Sequence, residues 1–95
     1  MKIAFNHQTD TEEVLLLEEE IVHQNDLIIY NDDFNTFDHV IQSLVEICGH
    51  EPVQAEQCAY IIHHRGKCGV KRGTAQDLQP MCIALLDRGL SAKIE

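Results

Sequence analysis

Basic residues are scarce in this chain: seven Lys and Arg stand against sixteen Asp and Glu, for a net charge of −9 and a pI near 4.9. That balance argues against a general nucleic-acid or anionic-membrane binder, since both depend on clustered cations. Long apolar runs are missing as well. Met1-Lys2 is followed by only three apolar residues before Asn6 and His7, too short for a signal-peptide core, and no run approaches membrane-spanning length. The four cysteines, at 48, 58, 68 and 82, include no Cys-x2-Cys pair that could seed a zinc or redox site. Free thiols, no metal, no cofactor and a cytoplasmic location are therefore expected. At 95 residues the chain has room for one modest core and none for a second catalytic domain.

What is present divides unevenly. Residues 1–25 hold six of the acidic side chains against a single lysine, with an apolar tetrad Val14-Leu15-Leu16-Leu17 beside the triplet Glu18-Glu19-Glu20. No strong cap marks a helix there, so this part reads as a mobile N-terminal arm, with a strand or short helix around 14–22. Residues 26–95 read as the folded domain.

Leu27-Ile28-Ile29-Tyr30, bounded by Asn25-Asp26 and by Asn31-Asp32-Asp33, has the composition of a first strand. From Thr36 the apolar positions Phe37, Val40, Ile41, Leu44, Val45, Ile47 and Cys48 follow helical spacing, with Asn35 or Thr36 as cap and Gly49 as stop. Pro52 suits the first position of a second helix that runs to Gly66. Lys67 to Arg72 reads as a second strand, and Leu90 to Ile94 as the last. Between them, Thr74-Ala75-Gln76-Asp77 can open a helix whose pattern continues through Met81, Ile83, Leu85 and Leu86 to Gly89. Pro80 conflicts with that start, so the helix is expected either to kink there or to begin near Leu78. The order β-α-α-β-α-β defines an α+β fold in which helices cover a small sheet.

Asn31-Asp32-Asp33 by itself reads as a turn that ends a strand and stays wet. Its neighbours in the chain widen that reading. Tyr60-Ile61-Ile62-His63-His64-Arg65-Gly66-Lys67 puts a histidine pair at the end of a helix, with Cys68-Gly69-Val70 directly after it. A carboxylate, an amide oxygen and a neutral imidazole together form an acceptor set suited to an α-ammonium group.

Taken in order, Ile29 to Phe37, His63 to Val70 and the ending Gly89-Leu90-Ser91-Ala92-Lys93-Ile94 resemble the ClpS adaptor family, over about residues 26–95. The resemblance implies a small three-stranded antiparallel sheet covered by three helices. It implies an adaptor, not an enzyme, that binds the free N-terminus of proteins starting with a bulky hydrophobic or aromatic residue. Such N-degron proteins would be handed to the N-terminal domain of a ClpA- or ClpC-type AAA+ unfoldase for ATP-dependent proteolysis, with no nucleic acid or membrane among the partners. The same resemblance assigns the substrate's α-amino group to Asn31, Asp33 and His63, and the adjoining peptide backbone to Asp32. A pocket for the first side chain would be walled by Asn35, Phe37, Val40, Ala59, Ile62 and Leu90. Many family members carry Met where Phe37 and Ala59 stand here, and a Lys where Gln79 stands. The basic cluster Arg65, Lys67, Lys71 and Arg72 could contact the unfoldase instead, or simply guard a strand edge.

Three other readings compete. A metal site at His63, His64 and Cys68 meets the difficulty that adjacent helical histidines point about 100° apart. A hydrolytic site with Asp33, His63 and Cys58 or Cys68 has no Gly-rich oxyanion loop beside it. A protein-interaction domain of the same fold without N-degron binding is the third.

Overall fold

The computed structural model describes residues 24–95, and the expectations for the arm fall almost wholly on residues outside that span. Among the described residues the elements are β1 (Gln24–Tyr30), α1 (Phe37–Cys48), α2 (Pro52–Arg65), β2 (Lys67–Thr74), α3 (Ala75–Asp87) and β3 (Ser91–Ile94). The three strands form one antiparallel sheet in the order β2-β1-β3. The fold is the α+β arrangement expected, three helices with a three-stranded sheet.

Strand β1 is central because it has the apolar side chains to be. Leu27 and Ile29 are fully buried, and together with Leu44 and Cys48 of α1, Ala55 and Ile62 of α2, and Leu78 and Leu85 of α3 they make one core. The strand includes the three residues before Leu27, since Gln24, Asn25 and Asp26 pair with Thr74, Gly73 and Arg72. β2 is lengthened to Thr74 by the same pairs. Polar residues that look like a boundary in sequence are held in the ladder by backbone bonds that composition does not report.

The β1–β2 register slips between Leu27 and Ile28, which pair with Lys71 and Gly69. Val70 is the extra residue, and its carbonyl accepts from His50 Nε2 at 2.7 Å. His50 is 5% exposed and sits just past α1, where its own N–H bonds to the Leu44 carbonyl. A bulge thus turns a ladder carbonyl toward a buried donor. Lys71 in turn reaches the Cys48 carbonyl at 3.2 Å, a cation at the negative end of α1.

The helix ends obey local chemistry. Thr36 caps α1 by accepting from His39 N, Thr74 caps α3 by accepting from Asp77 N, and Pro52 opens α2. Gly49 and Gly66 close α1 and α2 at φ of 69° and 94°, where a side chain would be strained. α3 runs unbroken through Pro80, starting at Ala75 and not near Leu78. Pro80 and Gln76 are both exposed, so the carbonyl that loses its partner lies toward water. Burial in α3 falls on Leu78, Cys82 and Leu85, while Ile83 and Leu86 are half exposed. Among the described residues no helix is long and apolar enough to cross a membrane.

His50→Ala removes the donor to the Val70 carbonyl and opens space beneath the bulge. The expected cost is about 2 kcal/mol, seen as a lower urea midpoint at unchanged slope.

Candidate functional site

Strand β1 delivers the Asn-Asp-Asp turn to the C-terminus of α2. Tyr30 pairs with Lys67, and the next N–H, that of Asn31, bonds to the Gly66 carbonyl at 2.9 Å. Gly66 N closes α2 on Ile62 O at 2.9 Å, so the last turn of that helix, bearing His63, is held against the turn that bears Asn31. Residues some thirty positions apart become neighbours through two backbone bonds and one left-handed glycine.

Between the turn and the two helices lies an open cavity of about 290 Å³. Its polar side is Asn31, Asp32, Asp33 and Asn35; its helical side is Phe37 and Val40 from α1 with Ala59, Ile62 and His63 from α2. Ala59 and Ile62 are buried, Val40 is half-buried, and Asn31, Asp33 and His63 are exposed. The cavity therefore has a polar rim and an apolar floor. Nine of the ten residues expected at a site are gathered here. Leu90, 3% exposed, does not line this cavity but an adjoining narrow space of about 20 Å³, together with Asn31, Asp32, Asn35, Val40 and Ile62 of the same set and with Ile29 and Tyr30; the strand expected to start with it starts at Ser91.

The polar residues separate into two groups. Asp32 Oδ1 accepts from the N–H groups of Phe34 and Asn35, both at 2.9 Å, and Oδ2 accepts from Asn35 Nδ2 at 2.7 Å and Ser91 Oγ at 3.5 Å. Asn35 Nδ2 also donates to the Gly89 carbonyl at 2.9 Å. Burial pushes the Asp32 carboxyl up, but the backbone donors of Asn35 and Phe34, then the Asn35 amide and Ser91 hydroxyl, outweigh it and hold it below the ordinary range. Asp32 and Asn35 thus tie the turn to the entry of β3. In the sequence Gly66 and Gly89 read only as helix ends and Ser91 only as part of the last strand; their bonds to the turn went unnoticed because nothing local connects them to residues so far away in the chain.

The second group is uncommitted. Among the described residues no hydrogen bond or ion pair engages the side chains of Asn31, Asp33 or His63. Phe37 stands beside them at the mouth, its ring edge-on to His63 at 6.0 Å and to Tyr60 at 6.5 Å. His64 turns away to stack on Tyr60 at 4.1 Å. The two histidine rings lie 84° apart in plane, and no group of three or more metal-ligating side chains gathers among the described residues. Cys58 does not line the cavity, and burial followed by the neighbouring Cys68 pushes its thiol up to about 11, opposite to what a nucleophile needs.

A small α+β domain with one cavity of polar rim and apolar floor is thereby defined, built from a strand end and two helices. The profile of the ATP-dependent Clp protease adaptor protein ClpS matches residues 21–93. The chain belongs to the ClpS family of Clp protease adaptors. A search of curated proteins gives no significant match. Among solved structures, that of Agrobacterium tumefaciens ClpS2 bound to L-phenylalaninamide superposes with a TM-score of 0.74 at 15% identity, over 77% of this chain and 95% of that one.

Asp32→Ala should loosen the turn by about 1 kcal/mol at neutral pH, a figure discounted for its solvent exposure. Because the folded carboxyl is held below its ordinary value of 3.8, its contribution is complete above that pH and is lost as pH falls through the lower folded value. The stability difference between wild type and Asp32→Ala should therefore be full at pH 7 and shrink in acid below 3.8; urea titrations across that range check it.

Proposed function

We propose that this chain binds the free N-terminus of proteins that begin with a bulky hydrophobic or aromatic residue and delivers them to a ClpA- or ClpC-type unfoldase. The observation that carries this reading is the uncommitted trio of Asn31, Asp33 and His63 above the apolar floor of Val40, Ala59 and Ile62. An α-ammonium offers three donors and one positive charge; an amide oxygen, a carboxylate and a neutral imidazole accept them. The side chain on the same Cα then points into the apolar part of the cavity. L-phenylalaninamide, the ligand of the Agrobacterium protein, has this pairing of free amine and apolar side chain.

Asp32 has a supporting part in this proposal. With both oxygens engaged in the turn, it holds Asn31 and Asp33 in place. The basic cluster offers less to an unfoldase than its sequence suggests, because Lys71 caps α1, Arg72 pairs with Asp26 at 3.8 Å, and Lys67 lies over the Tyr30 ring at 5.8 Å. Arg65 is the member of the cluster without such a contact among the described residues.

Acetylating a Leu- or Phe-initial peptide removes the charge and two donors, and should abolish binding measured by fluorescence anisotropy. Retention of affinity within about threefold, under 1 kcal/mol, would contradict the amine clamp. Asp33→Ala and His63→Ala should each weaken binding by about 1.5–3 kcal/mol with thermal unfolding unchanged, since both side chains are exposed. Delivery is tested by ATP-dependent degradation of a Leu-initial reporter with ClpA or ClpC present.

Phe37 stands where many family members have Met, and its ring has fewer rotamers with which to yield. A β-branched first residue is wide beside its Cα and should clash with this rim. Phe37→Ala is expected to narrow the preference for Leu over Ile by about 1 kcal/mol. An equal loss of affinity for every peptide would show that Phe37 does not gate the cavity.

A further inference from the structure

Past the rim of the cavity the surface continues as a second, wider groove of about 540 Å³, which shares Phe37 with it. Its other lining residues are Glu56, Gln57, Tyr60 and Ile61, from the outer side of α2. Phe37, Tyr60 and Ile61 are 41%, 52% and 40% exposed, so three large apolar side chains lie side by side on the surface. A contiguous apolar patch next to a cavity calls for an occupant, unlike apolar residues exposed singly.

Resting on the reading that a peptide N-terminus occupies the cavity, we propose that this groove holds the side chain of the same peptide's third residue, and that it selects bulky apolar or aromatic residues there. With the amine at Asn31, Asp33 and His63, the chain leaves over Phe37, which stands beside His63 at the mouth and lines both the cavity and the groove. In an extended peptide, side chains alternate, so the first and third point to the same surface and the second points away. The first and third Cα atoms are about 6.6 Å apart at 3.3 Å per residue. The groove begins at Phe37 itself, where the Tyr60 ring lies edge-on to the Phe37 ring at 6.5 Å between centroids. Glu56 at the groove's border makes an acidic third residue unfavourable.

The experiment measures affinity for peptides that share a Leu start and differ only at position three (Gly, Asp, Leu or Phe), with a parallel set varied at position two. Leu or Phe at position three should bind about fivefold or more tighter than Gly, Asp should bind weaker than Gly, and position two should matter less than about twofold. In Ile61→Asp and in the milder Ile61→Ala, the ratio of Phe to Gly affinity at position three should fall toward one; circular dichroism confirms that both variants fold. If free-amine Leu peptides bind, and acetylated ones do not, but position three has no effect, the groove proposal is overturned while the amine site stands. If no Leu-initial peptide binds, both fall. A Phe-to-Gly ratio that survives Ile61→Asp also overturns it. So does a wild-type dimer in sedimentation that Ile61→Asp dissolves, because the occupant would then be a second copy of the chain.

Discussion

The backbone bond from Asn31 N–H to the Gly66 carbonyl is the constraint on which the site depends. It extends the β1–β2 ladder by one step, and it does so onto a glycine whose φ of 94° is needed to end α2. Any other residue at that position would be strained, and the last turn of α2 would lose its fixed relation to the strand end. With the bond in place, the Asn-Asp-Asp turn and His63 face each other across one cavity. The core serves the same end: Leu27 and Ile29 hold the strand under the helices, and the bulge at Val70 gives buried His50 its acceptor.

The polar residues around the cavity divide their work. Asp32 and Asn35 are spent on the fold, joining the turn to Gly89 and Ser91, and the lowered Asp32 carboxyl records how many donors it has gathered. Among the described residues no hydrogen bond or ion pair engages the side chains of Asn31, Asp33 and His63 at the rim. A residue whose acceptors are satisfied internally cannot also give them to a ligand without releasing its donors, so the side chains that hold the turn are not the ones left open to a ligand. α1 and α3 are fastened in the same economical way: His39 Nε2 donates to the Arg88 carbonyl at 2.9 Å, and Arg88 pairs with Glu46 at 2.6 Å. That fastening steadies the segment carrying Gly89 and Leu90.

The energies asked of such a site are modest. Burying one Leu or Phe side chain contributes about 1.5–3 kcal/mol, and each charge-assisted hydrogen bond to an amine contributes a similar amount. A micromolar complex corresponds to about 8 kcal/mol, so one side chain, one ammonium and a few further contacts suffice. A groove just beyond the rim would add the residue-by-residue discrimination that a single pocket lacks.

The local chemistry of the chain was readable without a structure. Thr36 and Thr74 as caps, Gly49 and Gly66 as stops, Pro52 at a helix start and the apolar run ending at Tyr30 each act through neighbours a few residues away, so their effect is written where they stand. The order of elements followed from them, and the residues of the cavity followed from the resemblance to a family. The rest was decided by pairing across the chain. β1 starts at Gln24 because Thr74 is there to pair with it, Leu90 lies below the cavity because its N–H bonds to Leu85 at the end of α3, and α3 keeps Pro80 because its core face is Leu78, Cys82 and Leu85. Whether Asp32 faces a ligand or its own turn, and whether Tyr60 and Ile61 meet Phe37 in a groove, depends on which distant atoms arrive beside them. Propensity and periodicity describe a residue's own segment, and only the folded chain brings those atoms together.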